Sequence, residues 1–165
     1  MPKPWVLIIM GSDSDAEVMS QAAAALDELG VAYEFTVASA HRSPDRARQI
    51  VTDAEANGAA VMIAGAGMAA HLPGVVASLT TRPVIGVPLA SGALNGVDAL
   101  YAIVQMPPGI PVASVAIGGA RNAGILAAQI IATSDAELAA KMKAQRASMA
   151  DAVTAKSKKV EKSTR

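Results

Sequence analysis

Short apolar runs recur along this chain, each broken by glycine, serine or proline and followed by residues of helical periodicity. Trp5-Val6-Leu7-Ile8-Ile9-Met10 is a continuous run, the pattern of a strand buried on both faces. Gly11-Ser12-Asp13-Ser14-Asp15 interrupts it, and Ala16 to Leu29 predicts a helix ended by Gly30. Tyr33 to Ala38 predicts a second strand, after which Ser43 and Pro44 open a second helix as N-cap and first helical residue. Val61 to Ala64 is the third strand, with a glycine-rich loop from Gly65 to Gly74 and a short helix from Pro73 to Leu79. Val84 to Val87 is the fourth, and a loop through Ser91 and Asn95 leads to a helix from Val97 to Val104. Beyond the proline-rich stretch Gln105 to Pro111, Ser114 to Ile117 predicts a fifth strand and Asn122 to Ile131 a helix. A tail helix begins near Ser134, and no internal repeat is evident.

Strand, loop and helix in alternation predict an α/β fold: three layers, αβα, around a parallel sheet of about five strands, with an extended C-terminal helix. Residues 1–134 form the catalytic α/β domain on this reading, and residues 135–165 the C-terminal helix. Parallel strands place their carboxyl ends on one edge, where ligands bind at the point of reversed strand order. The loops at Gly11, Ser39 and Gly65 therefore share an edge.

Composition narrows the picture. A chain of 165 residues fits one domain. Hydrophobic residues make up 52% but aromatics only 2%, so the apolar content is aliphatic and exceeds what a small core needs. The surplus predicts a subunit interface and hence a homo-oligomer. Cysteine is absent, which excludes disulfides, thiolate catalysis and cysteine-ligated metals. No apolar run has the length of a membrane span, and Met1-Pro2-Lys3-Pro4-Trp5 lacks the form of a signal peptide. A cytoplasmic protein with no membrane partner is expected. Net charge is zero, yet residues 135–165 carry eight Lys/Arg against four Asp/Glu and residues 1–134 carry six against ten. A basic tail raises nucleic acid as a partner. Here the charges are spread along a helix without intervening aromatics, which reads as a solvated face and not a nucleic-acid site. Leu138, Met142, Met149 and Val153 share one helical face, predicted to pack on a neighbouring subunit, with a frayed basic end beyond.

Three loops carry candidate chemistry. Gly11 to Asp15 offers free amides and hydroxyls ahead of a helix, an anion site in which phosphate is the usual occupant; the alternative is a plain capping loop. It is not a Walker loop, since no Gly-Lys-Ser/Thr follows. Ser39-Ala40-His41-Arg42 adds a forked guanidinium suited to phosphate and an imidazole able to give and take a proton near neutrality. Gly65-Ala66-Gly67-Met68-Ala69-Ala70-His71-Leu72-Pro73-Gly74 lets a ligand approach the backbone closely, and its amides suit a small carboxylate. The alternative there is a tight turn with His71 bonded to a carbonyl. His41 and His71 are the chain's two histidines, and neither has a second ligand at helical spacing, so no metal is expected.

These three motifs, with Gly86-Val87-Pro88, Asn95-Gly96-Val97-Asp98-Ala99-Leu100, Ile103-Val104-Gln105-Met106-Pro107 and Asn122-Ala123, resemble the N5-carboxyaminoimidazole ribonucleotide mutases of de novo purine biosynthesis over residues 6–132. The resemblance implies a flavodoxin-like fold and an octamer. It implies an isomerase that moves a carboxylate from the exocyclic nitrogen of a phosphoribosyl-aminoimidazole to a ring carbon, without metal or cofactor. It places His41 as general acid and base and His71 against the migrating carboxylate. Ser12, Ser14, Asp15 and Arg42 would hold the ribose phosphate, while Ser39, Gly65, Ala66, Gly67, Met68, Ala70 and Leu72 would surround the imidazole. Met68 stands where the resemblance leads one to expect glycine, so the backbone there is predicted not to need a glycine-only conformation. A carboxylase using free carbon dioxide is the alternative within this chemistry; the relatives with that activity lack the His71-Leu72-Pro73-Gly74 stretch. An alternative of another class is a flavodoxin-like nucleotide-binding module, against which stands the placement of the four aromatics inside predicted strands and helices.

Overall fold

The strand β1 (Trp5–Met10) lies inside the sheet and under helices on both sides because its side chains are apolar on both faces. Val6, Ile8 and Met10 point into one core cluster and Leu7 and Ile9 into another, all fully buried. The computed structural model describes residues 3–162; the first two residues of the amino-terminal segment and the last three of the basic tail, residues 163–165, lie outside the described residues. Around β1 the chain forms α1 (Ala16–Leu29), β2 (Ala32–Val37), α2 (Pro44–Ala56), β3 (Ala59–Gly67), α3 (Leu72–Leu79), β4 (Val84–Leu89), α4 (Val97–Val104), β5 (Ala113–Ser114), α5 (Ala120–Ala132) and α6 (Ala136–Val160).

All strand pairings are parallel, in the order β2-β1-β3-β4-β5. Helices α1 and α5 cover one face and α2, α3 and α4 the other, the three-layer arrangement that the alternation predicts. The chain leaves β1 towards β2 on one side and later returns to place β3 on the other. Strand order therefore reverses between β1 and β3, which opens a crevice beyond their carboxyl ends.

The alanine content has a use inside the fold as well as at any interface. α1 and α5 approach so closely that a Cβ at Gly124 would lie 2.5 Å from the Ala22 carbonyl, and Ala22, Ala123, Ala127 and Ala128 are all buried in that contact. Small side chains are what admit such a spacing.

Several expected boundaries move. β3 runs on through Gly65, Ala66 and Gly67, so the first three residues of the predicted loop belong to the sheet. β5 is two residues long instead of four and starts one residue earlier. The carbonyls of Gly86 and Pro88 both face β5, accepting from Val115 at 3.2 Å and Gly118 at 2.8 Å. Proline has no N–H to return on that side, and the ladder stops. The expected face of α6 divides in two. Leu138 and Met142 pack on this chain's own core instead of on a neighbour, because α6 folds back against α5 and α1. Met149 and Val153 remain exposed.

Candidate active site

The crevice at the strand-order reversal is a cavity of about 380 Å³. It is built from four loops, leaving β1, β2, β3 and β4.

The first loop turns at Ser12, whose hydroxyl accepts from the Ser14 amide at 3.4 Å while the Asp15 carboxylate accepts from the Ser12 amide at 3.1 Å. This reciprocal capping closes a 3-10 turn over Asp13–Asp15. The capping alternative is thus realised, and Ser12, Ser14 and Asp15 still line the cavity. Burial pushes the Asp15 carboxyl above its ordinary value; the Ser12 amide opposes this and the neighbouring Asp13 charge adds to it.

The second loop starts where the Ala38 amide donates to the Met10 carbonyl at 2.9 Å, which fixes it to the end of β1. Arg42 reaches across to the first loop, where Nη2 donates to the Gly11 carbonyl at 3.4 Å. Its remaining fork stays open towards the cavity that both loops line, the geometry of a phosphate donor. Ser43 occupies the N-cap position of α2, as expected, but its hydroxyl makes no capping bond to the helix.

The third loop is a turn from Gly67 to His71. Met68 adopts φ 55 and Ala70 φ 42, both in the left-handed region. Met68 thus takes a conformation that glycine favours but that is not glycine-only, and it bears that backbone with its side chain largely in solvent. Gly65 does not line the cavity. It is packed in β3 where a Cβ would collide with the Met19 sulfur, and its carbonyl accepts from the Gly11 amide at 3.3 Å. Ala66, Gly67, Met68, Ala70 and Leu72 do line it, as do Ser39, His41, Arg42 and His71.

The two histidines meet. His41 Nε2 lies 2.6 Å from His71 Nδ1, with the rings nearly perpendicular and their centroids 4.8 Å apart. An N···N bond needs one donor and one acceptor, so the pair holds a single shared proton between those atoms. His71 makes no side-chain cap of its helix; its ring is spent on His41. Among the described residues no group of three His, Cys, Asp or Glu side chains converges there. Ser91, on the loop after β4, completes the wall and was not among the expected site residues. It was findable, since its loop also leaves the carboxyl end of a strand. A Cβ at Gly67 would collide with its hydroxyl, so that glycine is what admits Ser91 to the wall.

The model of the family described as AIR carboxylase matches residues 5–152. The chain belongs to the AIR carboxylase family. Among its relatives, the N5-carboxyaminoimidazole ribonucleotide mutase of Thermotoga maritima is 55% identical over 158 residues, covering 96% of this chain and 92% of that protein. The enzyme of that name from Pyrococcus horikoshii is 55% identical over 159 residues, covering 96% and 90%. The phosphoribosylaminoimidazole carboxylase of Schizosaccharomyces pombe is 54% identical over 96% of this chain, which spans 29% of that longer protein. The family fold is also that of the crystal structure of Treponema denticola PurE, with a TM-score of 0.88 at 30% identity over 96% of this chain and 99% of that one.

Proposed function

We propose that this chain is an N5-carboxyaminoimidazole ribonucleotide mutase, converting that carbamate to 4-carboxy-5-aminoimidazole ribonucleotide. The observation that carries the reading is the 2.6 Å His41–His71 pair in the wall of a cavity that Arg42, bonded to the first loop, also lines. The mutase names of relatives 55% identical along nearly the whole chain support it.

His41 gives its proton to the carbamate nitrogen. The C–N bond then breaks, its electrons staying on nitrogen, and carbon dioxide is released into the cavity. The electron-rich ring carbon attacks that carbon dioxide and forms the new C–C bond. His41 takes the proton from the same ring carbon, which restores aromaticity and returns the imidazole to its starting state. One proton is given and one recovered, so a single acid and base suffices. His71 shares its proton with His41 in the empty site and turns to the migrating carboxylate when substrate separates the pair. Ala66, Gly67 and Ala70 form a wall poor in side-chain donors, which keeps carbon dioxide beside the ring. Arg42 with Ser12, Ser14 and Asp15 takes the ribose phosphate. No step requires a metal or cofactor.

The reading extends to a cytoplasmic homo-octamer. Leu94, Val97, Tyr101 and Val104 expose a continuous apolar stripe at helical spacing, and Met149 and Val153 a second one on α6, both suited to a neighbouring copy. No helix among the described residues is long and apolar enough to cross a membrane.

Conversion of the carbamate with and without bicarbonate tests the reaction. Equal rates are expected in both. Turnover only of the uncarboxylated ribonucleotide with added bicarbonate would identify a carboxylase instead.

A further inference from the structure

A serine at the start of a helix ordinarily turns its hydroxyl onto the amides of the first turn. Ser43 does not. Its hydroxyl accepts from the Ser39 amide at 3.0 Å and donates to the Ser39 carbonyl at 3.2 Å. The Ser43 amide gives a further bond to that carbonyl at 2.9 Å. Both backbone groups of Ser39 therefore end on Ser43. The Ser39 hydroxyl in turn accepts from the Arg42 amide at 3.1 Å, which closes the ring from inside. The stem below is fixed as well, since Arg46 Nε donates to the Val37 carbonyl at 3.1 Å. His41 is the residue at the apex of this ring, and a 2.6 Å bond to His71 leaves little room for displacement.

We propose that Ser43 is a positioning residue for the reaction: by holding both backbone groups of Ser39, its hydroxyl sets the His41 ring at its working distance from His71. Ser43 does not line the cavity, so it acts through the loop and not on the substrate. The proposal rests on the reading of His41 as the proton carrier.

The test compares Ser43→Ala, Ser43→Gly and Ser43→Thr in the full chain, with His41→Asn as control. Glycine is tolerated at a helix N-cap almost as well as serine, so Ser43→Gly deletes the hydroxyl even where the alanine variant does not fold. Both deletions are expected to lower kcat by on the order of tenfold, because displacing a catalytic group by about 1 Å costs up to about a hundredfold. KM for the carbamate ribonucleotide stays within about threefold, since Arg42 keeps its own tie to Gly11, and Ser43→Thr recovers most of kcat. With two histidines in the chain, ¹⁵N-labelled imidazoles resolve the shared N–H···N signal directly. That signal is expected in the wild type and Ser43→Thr and is lost in the deletions. A deletion with wild-type kcat, an effect confined to KM, a loss that threonine does not recover, or a retained shared signal overturns the proposal. A fully active His41→Asn would sink the reading of His41 instead, so the two failures are separable.

Discussion

Two loops bring imidazoles to one point by opposite means. The Ser39–Ser43 loop is tied by hydroxyls and amides, and none of its residues enters the left-handed region. The Gly67–His71 turn has no such side-chain ties; it closes through the Ala70 amide on the Gly67 carbonyl at 3.0 Å and places Met68 and Ala70 in left-handed conformations. Buried Ala70 and Leu72 hold it down. The first device contributes about 1 kcal/mol per hydrogen bond and orients a side chain. The second costs about 1–2 kcal/mol for each left-handed residue and offsets it by burial. On the proposed reading, hydrogen bonds suit the imidazole that moves a proton along one direction, and packing suits a wall that is small and free of competing donors around carbon dioxide.

The largest effects are expected from removing each imidazole. His41→Asn is expected to lower kcat by on the order of 10²–10⁴, with the Kd of phosphorylated ligand by calorimetry nearly unchanged, and His71→Asn to lower it less. A larger loss at His71 would exchange their roles. A smaller effect is expected at the wall. Gly67→Ala would drive a Cβ into the Ser91 hydroxyl and to 3.2 Å from the Leu89 carbonyl, costing about 1–3 kcal/mol by urea unfolding and raising KM. Unchanged stability would mean that the turn yields more readily than its packing implies. The smallest effect is at Met68. Relief of its left-handed backbone, about 1–2 kcal/mol, less the entropy of a glycine, about 0.5–1 kcal/mol, should leave Met68→Gly more stable by up to about 1.5 kcal/mol. A lower urea midpoint would assign the methionine side chain a packing role, although 60% of it is exposed.

Much of the architecture was legible because it follows from local chemistry. The apolar run of β1, the Gly30 stop at φ 74 and the proline-led α2 are each written in neighbouring residues. The sharing of one edge by the three motif loops followed from alternation alone, whereas the place where strand order reverses, between β1 and β3, is seen only in the fold. The end of β5 was less legible, since it depends on which side of β4 the missing amide of Pro88 faces. Gly65 misled for another reason: a glycine next to a flexible-looking stretch serves the close approach of the Met19 side chain to β3 and not the loop.

The residue types of the site were set by the sequence itself: two imidazoles, a guanidinium and small residues at strand ends, sufficient for phosphate binding and one proton transfer. Their arrangement was not. That His41 bonds His71, that the Ser43 hydroxyl turns back to Ser39, and that Ser91 fills the space a glycine leaves are contacts between segments distant in the chain or between groups with several available partners. Local propensity ranks such partners nearly equally. Only the packed sheet, which fixes where each loop starts and ends, leaves one of them within reach.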